Sequence, residues 1–148
     1  MSNDLKPIDI LLVDDNPGDV RLAKEALKDS KLRNNLYVAE DGVEAMQFLM
    51  KEAPFTHVPR PGLILLDLNL PRKNGLEVLK EIKTNEKLQW IPVVILTMSQ
   101  AEEDIIKSYN LHANCYITKP LDLNRFIDVV HSIEEFWLTI VKLPDGEK

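Results

Sequence analysis

Five polar side chains in this sequence each follow a short apolar run, and together they could do chemistry. They are three carboxylates, a hydroxyl and an ammonium: Asp14, Asp15, Asp67, Thr97 and Lys119. Clustered carboxylates repel one another unless a cation joins them, and oxygen ligands with room for water suit Mg²⁺ or Mn²⁺. The hydroxyl and the ammonium could hold oxygens of an anion. A metal, a carboxylate nucleophile and a cationic anchor together indicate phosphoryl transfer to Asp67.

Each of these residues also has an ordinary explanation. An Asp-Asp pair is more often part of a solvated loop than a metal site, and a strand-terminal Asp is often a turn residue. Thr97 could simply cap the following helix, and a Lys before Pro120 usually has no role. The joint occurrence of all five side chains at the ends of four apolar runs is what favours a site.

The apolar run that ends in Asp67 is the element around which such a site would form. Pro61-Gly62 precedes this run and Pro71 follows it, which predicts a short strand buried on both faces. A charge cannot lie unpaired inside such a strand. It can lie at the carboxyl end, where open parallel sheets place their ligands.

Four other strands and five helices are predicted around this central strand. The strands cover residues 8–13, 36–39, 91–97 and 114–118, with a turn at Asn34-Asn35 before the second. The helices begin near residues 17, 42, 76, 101 and 123, and the last one ends near residue 141. Residues 52–62 contain three prolines and are predicted to form a loop. Strands alternating with helices predict an α/β domain with a parallel sheet, whose strand ends meet at one edge.

The composition limits the kind of protein. The 148 residues suffice for one domain, and a net charge of −6 argues against nucleic acid as the main partner. The single Cys115 cannot form an internal disulfide, which fits a reducing intracellular compartment. The amino terminus lacks an apolar signal core, and no run approaches the roughly 18 apolar residues of a membrane span. A soluble, cytoplasmic protein that does not enter membranes is expected.

The motifs together resemble the receiver domain of two-component response regulators. The matching pieces are Leu-Val-Asp14-Asp15-Asn, Leu-Leu-Asp67-Leu-Asn-Leu-Pro, Val-Ile-Leu-Thr97 and Tyr116-Ile-Thr-Lys119-Pro120. The resemblance covers about residues 8–135 and implies a flavodoxin-like, doubly wound, five-stranded parallel sheet in the order 2-1-3-4-5, flanked by five helices. Residues 1–148 would then form one receiver domain, with a helical extension at 136–144 and no output domain.

The resemblance implies a role for each acidic residue. Asp67 takes a phosphoryl group from the phosphohistidine of a sensor histidine kinase and becomes an acyl phosphate. Asp15 and Asp67 coordinate Mg²⁺ directly, together with the backbone carbonyl of Asn69, and Asp14 joins through water. Lys119 pairs with a phosphoryl oxygen. The protein would be a signalling phosphoacceptor with slow self-dephosphorylation and not an enzyme.

The resemblance also implies a switch. Thr97 would hydrogen-bond a phosphoryl oxygen and vacate space into which Tyr116 turns, which changes the surface of helix 4, strand 5 and helix 5. The alternative for Tyr116 is a core aromatic residue of its strand. The inactive and active arrangements would already be in equilibrium. A phosphoryl group that binds the active one somewhat better is enough to shift that equilibrium.

The last predicted helix has an unusually wide apolar face. Its apolar arc spans roughly 200°, whereas facing a single core requires roughly 100°. The excess indicates a two-fold homodimer, and the alternative is that the carboxyl-terminal segment folds back over it. The residues that widen the apolar face are Val129 and Phe136 on one side and Ile127 and Leu138 on the other.

A narrower resemblance concerns the kinase partner. The segment from Arg60 to Asp67, the long loop before it and the segment 133–137 resemble the single-domain regulators paired with cyanobacterial phytochrome histidine kinases. Two other functions stay open: a Mg²⁺-dependent phosphatase with an Asp nucleophile, and a phosphate-independent adaptor. Phosphatases of that type usually place a second acid where this chain has Asn69, and the intact five-residue set argues against the adaptor.

Overall fold

The computed structural model describes residues 7–29, 33–97, 100–108, 111, 115–118, 124, 128 and 131–132. Within these residues, strands and helices alternate in the order β1 (Ile8–Val13), α1 (Pro17–Lys28), β2 (Asn34–Ala39), α2 (Gly42–Leu49), β3 (Leu63–Asp67), α3 (Gly75–Thr84), β4 (Val93–Thr97), α4 (Gln100–Ser108) and β5 (Cys115–Thr118). All pairings are parallel, and the strands lie in the order β2-β1-β3-β4-β5. The predicted α/β domain with a parallel sheet is confirmed.

The central position of β3 explains its composition. It pairs with β1 on one side and β4 on the other, and all five of its residues are buried. Leu66 lies opposite Val13 of β1 and opposite Ile95 of β4. A strand covered by helices on both faces has no solvent side, so its apolar residues run consecutively instead of alternating with polar ones.

Two apolar layers lie on opposite faces of the sheet. On one face, Leu11 and Val13 pack with residues of α2, α3 and α4, including Phe48, Val78 and Ile106. On the other face, a smaller cluster joins alternate residues of the same strands to three residues of α1: Ile10, Leu12, Leu65, Leu96, Ala23, Ala26 and Leu27. The alternation of side chains along each strand therefore produces the doubly wound arrangement.

The starts of the helices follow local sequence signals. The Asn16 side chain accepts a hydrogen bond from the Asp19 N–H (3.0 Å), and Pro17 occupies the first turn of α1. Asp41 caps α2 by accepting from the Glu44 N–H at 2.7 Å. Asn74 and Glu77 form a reciprocal capping box at the start of α3.

The predicted turn at Asn34-Asn35 is wrong, because both residues belong to β2. Asn34 and Asn35 lie opposite Ile8 and Asp9 in the parallel pairing with β1. The Asn34 Nδ2 donates to the Leu27 carbonyl at 3.0 Å, and the Asn35 Nδ2 donates to Asp9 Oδ1 at 3.1 Å. Strand pairing and these side-chain bonds outweigh the general preference of Asn for turns.

Strand β4 starts two residues later than predicted. Residues 91 and 92 precede it, and the Ile91 N–H bonds back to the Leu88 carbonyl at 3.0 Å, which makes a turn. Pro92 has no N–H to give to a neighbouring strand, but its carbonyl accepts from the Ile64 N–H at 3.0 Å. The apolar run alone does not distinguish this turn from the strand that follows it.

The loop at residues 52–62 has no helix or strand, as predicted, and packs against α2. Phe55 lies 5.5 Å from Phe48 between ring centroids, and Phe48 lies 5.4 Å from Tyr37. The Arg60 guanidinium donates to the Leu49 carbonyl at the end of α2 (3.3 Å). These contacts fix the loop as an ordered surface segment.

The last predicted helix falls almost entirely outside the described residues. Of it, residues 124, 128, 131 and 132 are described, and all four are helical. The dimer candidates Ile127, Val129, Phe136 and Leu138 are not among them, so the fifth helix as a whole and the dimer surface stay predictions. In the described part of the chain, no helix is both long enough and apolar enough to cross a membrane.

Candidate functional site

The three predicted acidic residues come together at the carboxyl edge of the sheet. Asp14, Asp15 and Asp67 each offer one carboxylate oxygen, and these oxygens all lie within 4.8 Å of one another. Asp67 is the last residue of β3, and Asp14 and Asp15 directly follow β1. Because Val13 and Leu66 are paired neighbours in the sheet, the two strand ends necessarily place their carboxylates side by side.

Two of these acids are buried and held by the backbone. Asp14 is 0% exposed and Asp67 is 1% exposed, whereas Asp15 is exposed. The Asn16 N–H donates to Asp14 Oδ1, and the Asn69 N–H donates to Asp67 Oδ1, both at 2.9 Å. In each case the N–H lies two residues beyond the acid, so the chain turns immediately after the strand and fixes the carboxylate orientation.

The cluster fits a hard divalent cation. Its three donors are all oxygen atoms, and two of them are withdrawn from water, so their mutual repulsion is not screened by solvent. Such a donor set suits Mg²⁺ and also Mn²⁺. The bond from its N–H holds the Asn69 backbone beside Asp67, which fits the predicted use of its carbonyl.

The predicted hydroxyl also reaches this edge. Thr97 is the last residue of β4 and is 1% exposed. Asp67 pairs with Leu96, so Thr97 lies one position further along the neighbouring strand. Lys119 lies outside the described residues. It directly follows β5, whose last residue Thr118 pairs with Thr97. The role of Lys119 stays a prediction.

The predicted switch residue Tyr116 is partly buried against α4. It pairs with Ile95 across β5 and β4, and the Lys107 Nζ lies 5.6 Å from the centroid of its ring. Glu103 forms an ion pair with Lys107 at 3.2 Å. Burial raises the pKa of the Tyr116 hydroxyl, Lys107 opposes this rise and Glu103 adds to it.

A groove of about 390 Å³ opens next to the acidic cluster. It lies between α1 and the ends of β1 and β2, and residues of both charges line it: Asp14, Asp15, Pro17, Val20, Arg21, Lys24, Val38 and Glu40. Two of the three acids of the cluster, Asp14 and Asp15, therefore line the groove.

One set of residues near the site was not predicted from the sequence. Asp41 forms an ion pair with Arg72 at 3.1 Å, and Gly42 packs against the backbone of Lys73. Arg72 and Lys73 belong to the segment that joins Asp67 to α3. A signal was available for Asp41 alone, because it follows β2 and the end of that strand reaches the same edge as the other strand ends.

Residues 10–131 match the family described as the response regulator receiver domain. This match spans the acidic cluster, Thr97 and all the described helices and strands except the start of β1 and the last helical residue, so the chain belongs to that family. The resemblance to the family on which the predicted roles rest is therefore confirmed.

Several known response regulators are similar to this chain over most of its length. The chain is 52% identical over 135 residues to the response regulator Rcp1 of Synechocystis sp., covering 91% of this chain and 92% of that protein. A phosphorylated cyanobacterial phytochrome response regulator, RcpA, has a similar structure with a TM-score of 0.79, 49% identity and coverage of 90% and 96%. The Mn²⁺-bound form of Rcp1 has a TM-score of 0.78, 51% identity and the same coverage. The resemblance to phytochrome-associated regulators is confirmed as a similarity.

Proposed function

We propose that this chain is a phosphoaccepting response regulator, in which Asp67 takes a phosphoryl group from the phosphohistidine of a sensor histidine kinase. One observation carries the proposal. Three carboxylates lie within 4.8 Å of one another at the end of a buried parallel strand, in a chain of the receiver family. A bound cation would offset the repulsion among acids brought this close with two of them buried, and a groove lined by Asp14 and Asp15 opens beside them.

The metal is Mg²⁺, with Mn²⁺ as a substitute. Asp15, Asp67 and the Asn69 carbonyl would hold it directly, and Asp14 would join through water. The oxygen-only donor set supports this assignment, and a solved structure of a relative is described as Mn²⁺-bound. When bound, the cation neutralises charge on the oxygens of the transferring phosphoryl group.

The transfer itself asks little of the chain beyond positioning. A carboxylate oxygen of Asp67 forms a bond to phosphorus while the phosphorus–nitrogen bond of the phosphohistidine breaks. The electron pair of the broken bond stays on the imidazole nitrogen, and the product is an acyl phosphate on Asp67. The Asn69 N–H fixes the other carboxylate oxygen, and Thr97 and Lys119 hold phosphoryl oxygens.

Phosphorylation then changes a surface. Thr97 moves onto the phosphoryl group, Tyr116 turns into the space it leaves, and the face made by α4, β5 and the last predicted helix is altered. The contact of Tyr116 with Lys107 supports this coupling, because any inward movement of the ring changes a contact with α4. The acyl phosphate is lost slowly by self-dephosphorylation, so the protein is a timed switch and not an enzyme.

The kinase partner is a phytochrome. The protein acts in the cytoplasm and forms a homodimer. Similarity to RcpA and Rcp1 supports the choice of kinase, since RcpA is described as a phytochrome response regulator. The width of the apolar face predicted for the last helix supports the dimer.

Incubation with acetyl phosphate and Mg²⁺, followed by intact-mass measurement, tests the function. One added phosphoryl group is expected on the wild type and on Asp29→Asn, a control at an exposed aspartate. None is expected on Asp67→Asn. Rapid turnover of small phosphate esters would favour a phosphatase instead, and no added mass with either acetyl phosphate or a phosphorylated kinase would favour an adaptor.

A further inference from the structure

The segment that joins β3 to α3, residues 68–74, is called the acceptor loop here because it follows Asp67 directly. It is tied to the sheet at its start, where the Leu68 N–H donates to the Leu96 carbonyl at 3.2 Å. A second hydrogen bond joins the two ends of the loop, because the Gly75 N–H donates to the Leu68 carbonyl at 3.0 Å. A Cβ on Gly75 would lie 2.4 Å from the Asp67 carbonyl oxygen, so α3 starts in direct backbone contact with the acceptor.

The outer side of the acceptor loop rests on the start of α2. A Cβ on Gly42 would lie 1.8 Å from the Lys73 carbonyl oxygen, which leaves no room for a side chain there. Arg72 has a φ of 66°, in the left-handed region that few residues other than Gly adopt. From this conformation its guanidinium reaches Asp41 Oδ2 at 3.1 Å.

The two carboxylate oxygens of Asp41 accept hydrogen bonds from two different partners. Its Oδ1 accepts the Glu44 N–H and caps α2, and its Oδ2 pairs with Arg72. The first helical turn of α2 and the acceptor loop are therefore joined through one carboxylate. Because the Asn69 N–H on the same loop fixes Asp67 Oδ1, a shift of the loop would turn the acceptor carboxylate.

We propose that Asp41, Gly42 and Arg72 are positioning residues for phosphoryl acceptance: they hold the acceptor loop so that Asn69 and Asp67 keep the geometry that the transfer needs. This inference rests on the proposed function. Reactions between groups held in place lose about a hundredfold in rate when one of them is displaced by about 1 Å. The ion pair itself contributes little to stability, since the Arg72 side chain is 61% exposed.

Conservative variants separate positioning from folding. Asp41→Asn keeps a side-chain oxygen that can cap α2 but removes the charge that faces Arg72. Arg72→Gln removes the opposite charge, and Arg72→Lys restores it. Lys87→Gln removes an exposed cation outside the acceptor loop and serves as the control. Gly42→Ala is the most severe variant, because it drives a methyl group into the Lys73 backbone.

Two measurements are made on each purified full-length variant: the initial rate of phosphorylation against acetyl phosphate concentration, and the Mg²⁺ dissociation constant by calorimetry without a phosphodonor. Asp41→Asn and Arg72→Gln are expected to lower the maximal rate by about tenfold and weaken Mg²⁺ binding severalfold, with little change in melting temperature. Arg72→Lys is expected to recover most of the rate, and Lys87→Gln to match the wild type.

Wild-type maximal rates and wild-type Mg²⁺ affinity in both Asp41→Asn and Arg72→Gln would overturn the inference. If the wild type itself accepted no phosphoryl group, the proposed function would fail. The Mg²⁺ affinities would then still decide whether these residues position the acidic site, because the Asn69 backbone lies on the same loop. If Gly42→Ala does not fold, the two charge variants carry the test.

Discussion

At the scale of single residues, the three acids of the site have different surroundings. Asp14 and Asp67 are buried and each accepts a backbone N–H from two residues further on, whereas Asp15 faces solvent. Asp14 and Asp67 are both buried, and their carboxylate oxygens lie within 4.8 Å of each other, so the two groups repel when both are ionised and a bound cation offsets that repulsion. The free energy of the folded protein should therefore depend on a bound cation.

Mg²⁺ is expected to raise the melting temperature of the wild type and to do so much less in Asp15→Asn. A ligand present at 100 times its dissociation constant stabilises the folded state by about 2.7 kcal/mol, and loss of one charged ligand weakens binding. Differential scanning calorimetry in Mg²⁺ and in chelator measures the difference. Asp29→Asn, which changes an exposed aspartate, should respond like the wild type. Identical melting temperatures with Mg²⁺ and with chelator would contradict the predicted metal site.

Tyr116 gives a prediction for alkaline pH. Burial raises its pKa in the folded protein, so the folded state keeps the hydroxyl proton at a pH where the unfolded chain has lost it. The resulting stabilisation is complete below the ordinary tyrosine pKa near 10 and is lost as the pH rises through the folded value. Stability measured by urea titration should therefore decline less steeply above pH 10 in Tyr116→Phe than in the wild type.

The comparison for Tyr116 must allow for Lys83, whose pKa is lowered by burial. A lowered lysine pKa has the opposite sign: it makes the folded state more stable as the pH rises. Because both proteins contain Lys83, the difference between wild type and Tyr116→Phe isolates the tyrosine. Equal slopes of stability against pH in the two proteins would show that Tyr116 is as solvated in the folded chain as in the unfolded one.

At the scale of helices and strands, the sequence predicts well where local chemistry decides. Strand β1 and the start of α1 lie where the apolar run and the pair Asn16-Pro17 place them, because capping and the fixed φ of proline act within a few residues. The prediction of a turn at Asn34-Asn35 was wrong because β1, the pairing partner of β2, is distant in sequence. The buried faces of α2 and α3, which carry Phe48 and Val78, are likewise set by packing against the sheet.

The acidic site could also be predicted only in part from the sequence. The acids at the ends of β1 and β3 were found because parallel strand ends share an edge, a rule that needs no coordinates. The contact of Gly42 with Lys73 could not be found in this way, because a glycine signals either freedom of φ or lack of space, and only the packed structure shows which.

The tilted ring contacts of Phe48 with Tyr37 and Phe55, which hold the loop at residues 52–62, lead to a prediction about stability. Phe48 is buried between Tyr37 and Phe55, and deletion of a buried Phe side chain costs about 3–5 kcal/mol. Phe48→Ala should lower the free energy of unfolding by about that amount and increase hydrogen exchange in the loop. Trp90→Ala is the matched control, because Trp90 is 66% exposed and its removal should change stability by less than about 0.5 kcal/mol. Similar losses of stability in both variants would contradict the role given to these ring contacts.

At the scale of the whole molecule, the two faces of the sheet are covered unequally in the described residues. One face carries α2, α3 and α4 and a large apolar cluster, and the other carries α1 and a smaller one. The last predicted helix has an apolar arc wider than one core requires. The rest of that arc is what the predicted dimer would bury.

The dimer has a direct test. Light scattering coupled to size exclusion should give a mass that rises from one chain to two as the protein concentration increases, and Phe136→Asp should keep it at one chain. Ser132→Asp, which changes an exposed residue, should leave the association unchanged. A mass of one chain at every concentration would remove the dimer and favour a carboxyl-terminal segment that folds back.

The exposure of Asp15 beside two buried acids has a kinetic consequence. An approaching cation meets Asp15 first, in water, where dissolved salt weakens attraction over a Debye length of about 8 Å at physiological ionic strength. Attraction to Asp14 and Asp67 acts in the protein interior and is screened much less. Raising the ionic strength should thus slow the binding of Mg²⁺ more than it speeds its release, so that salt sets how soon the cation site is filled.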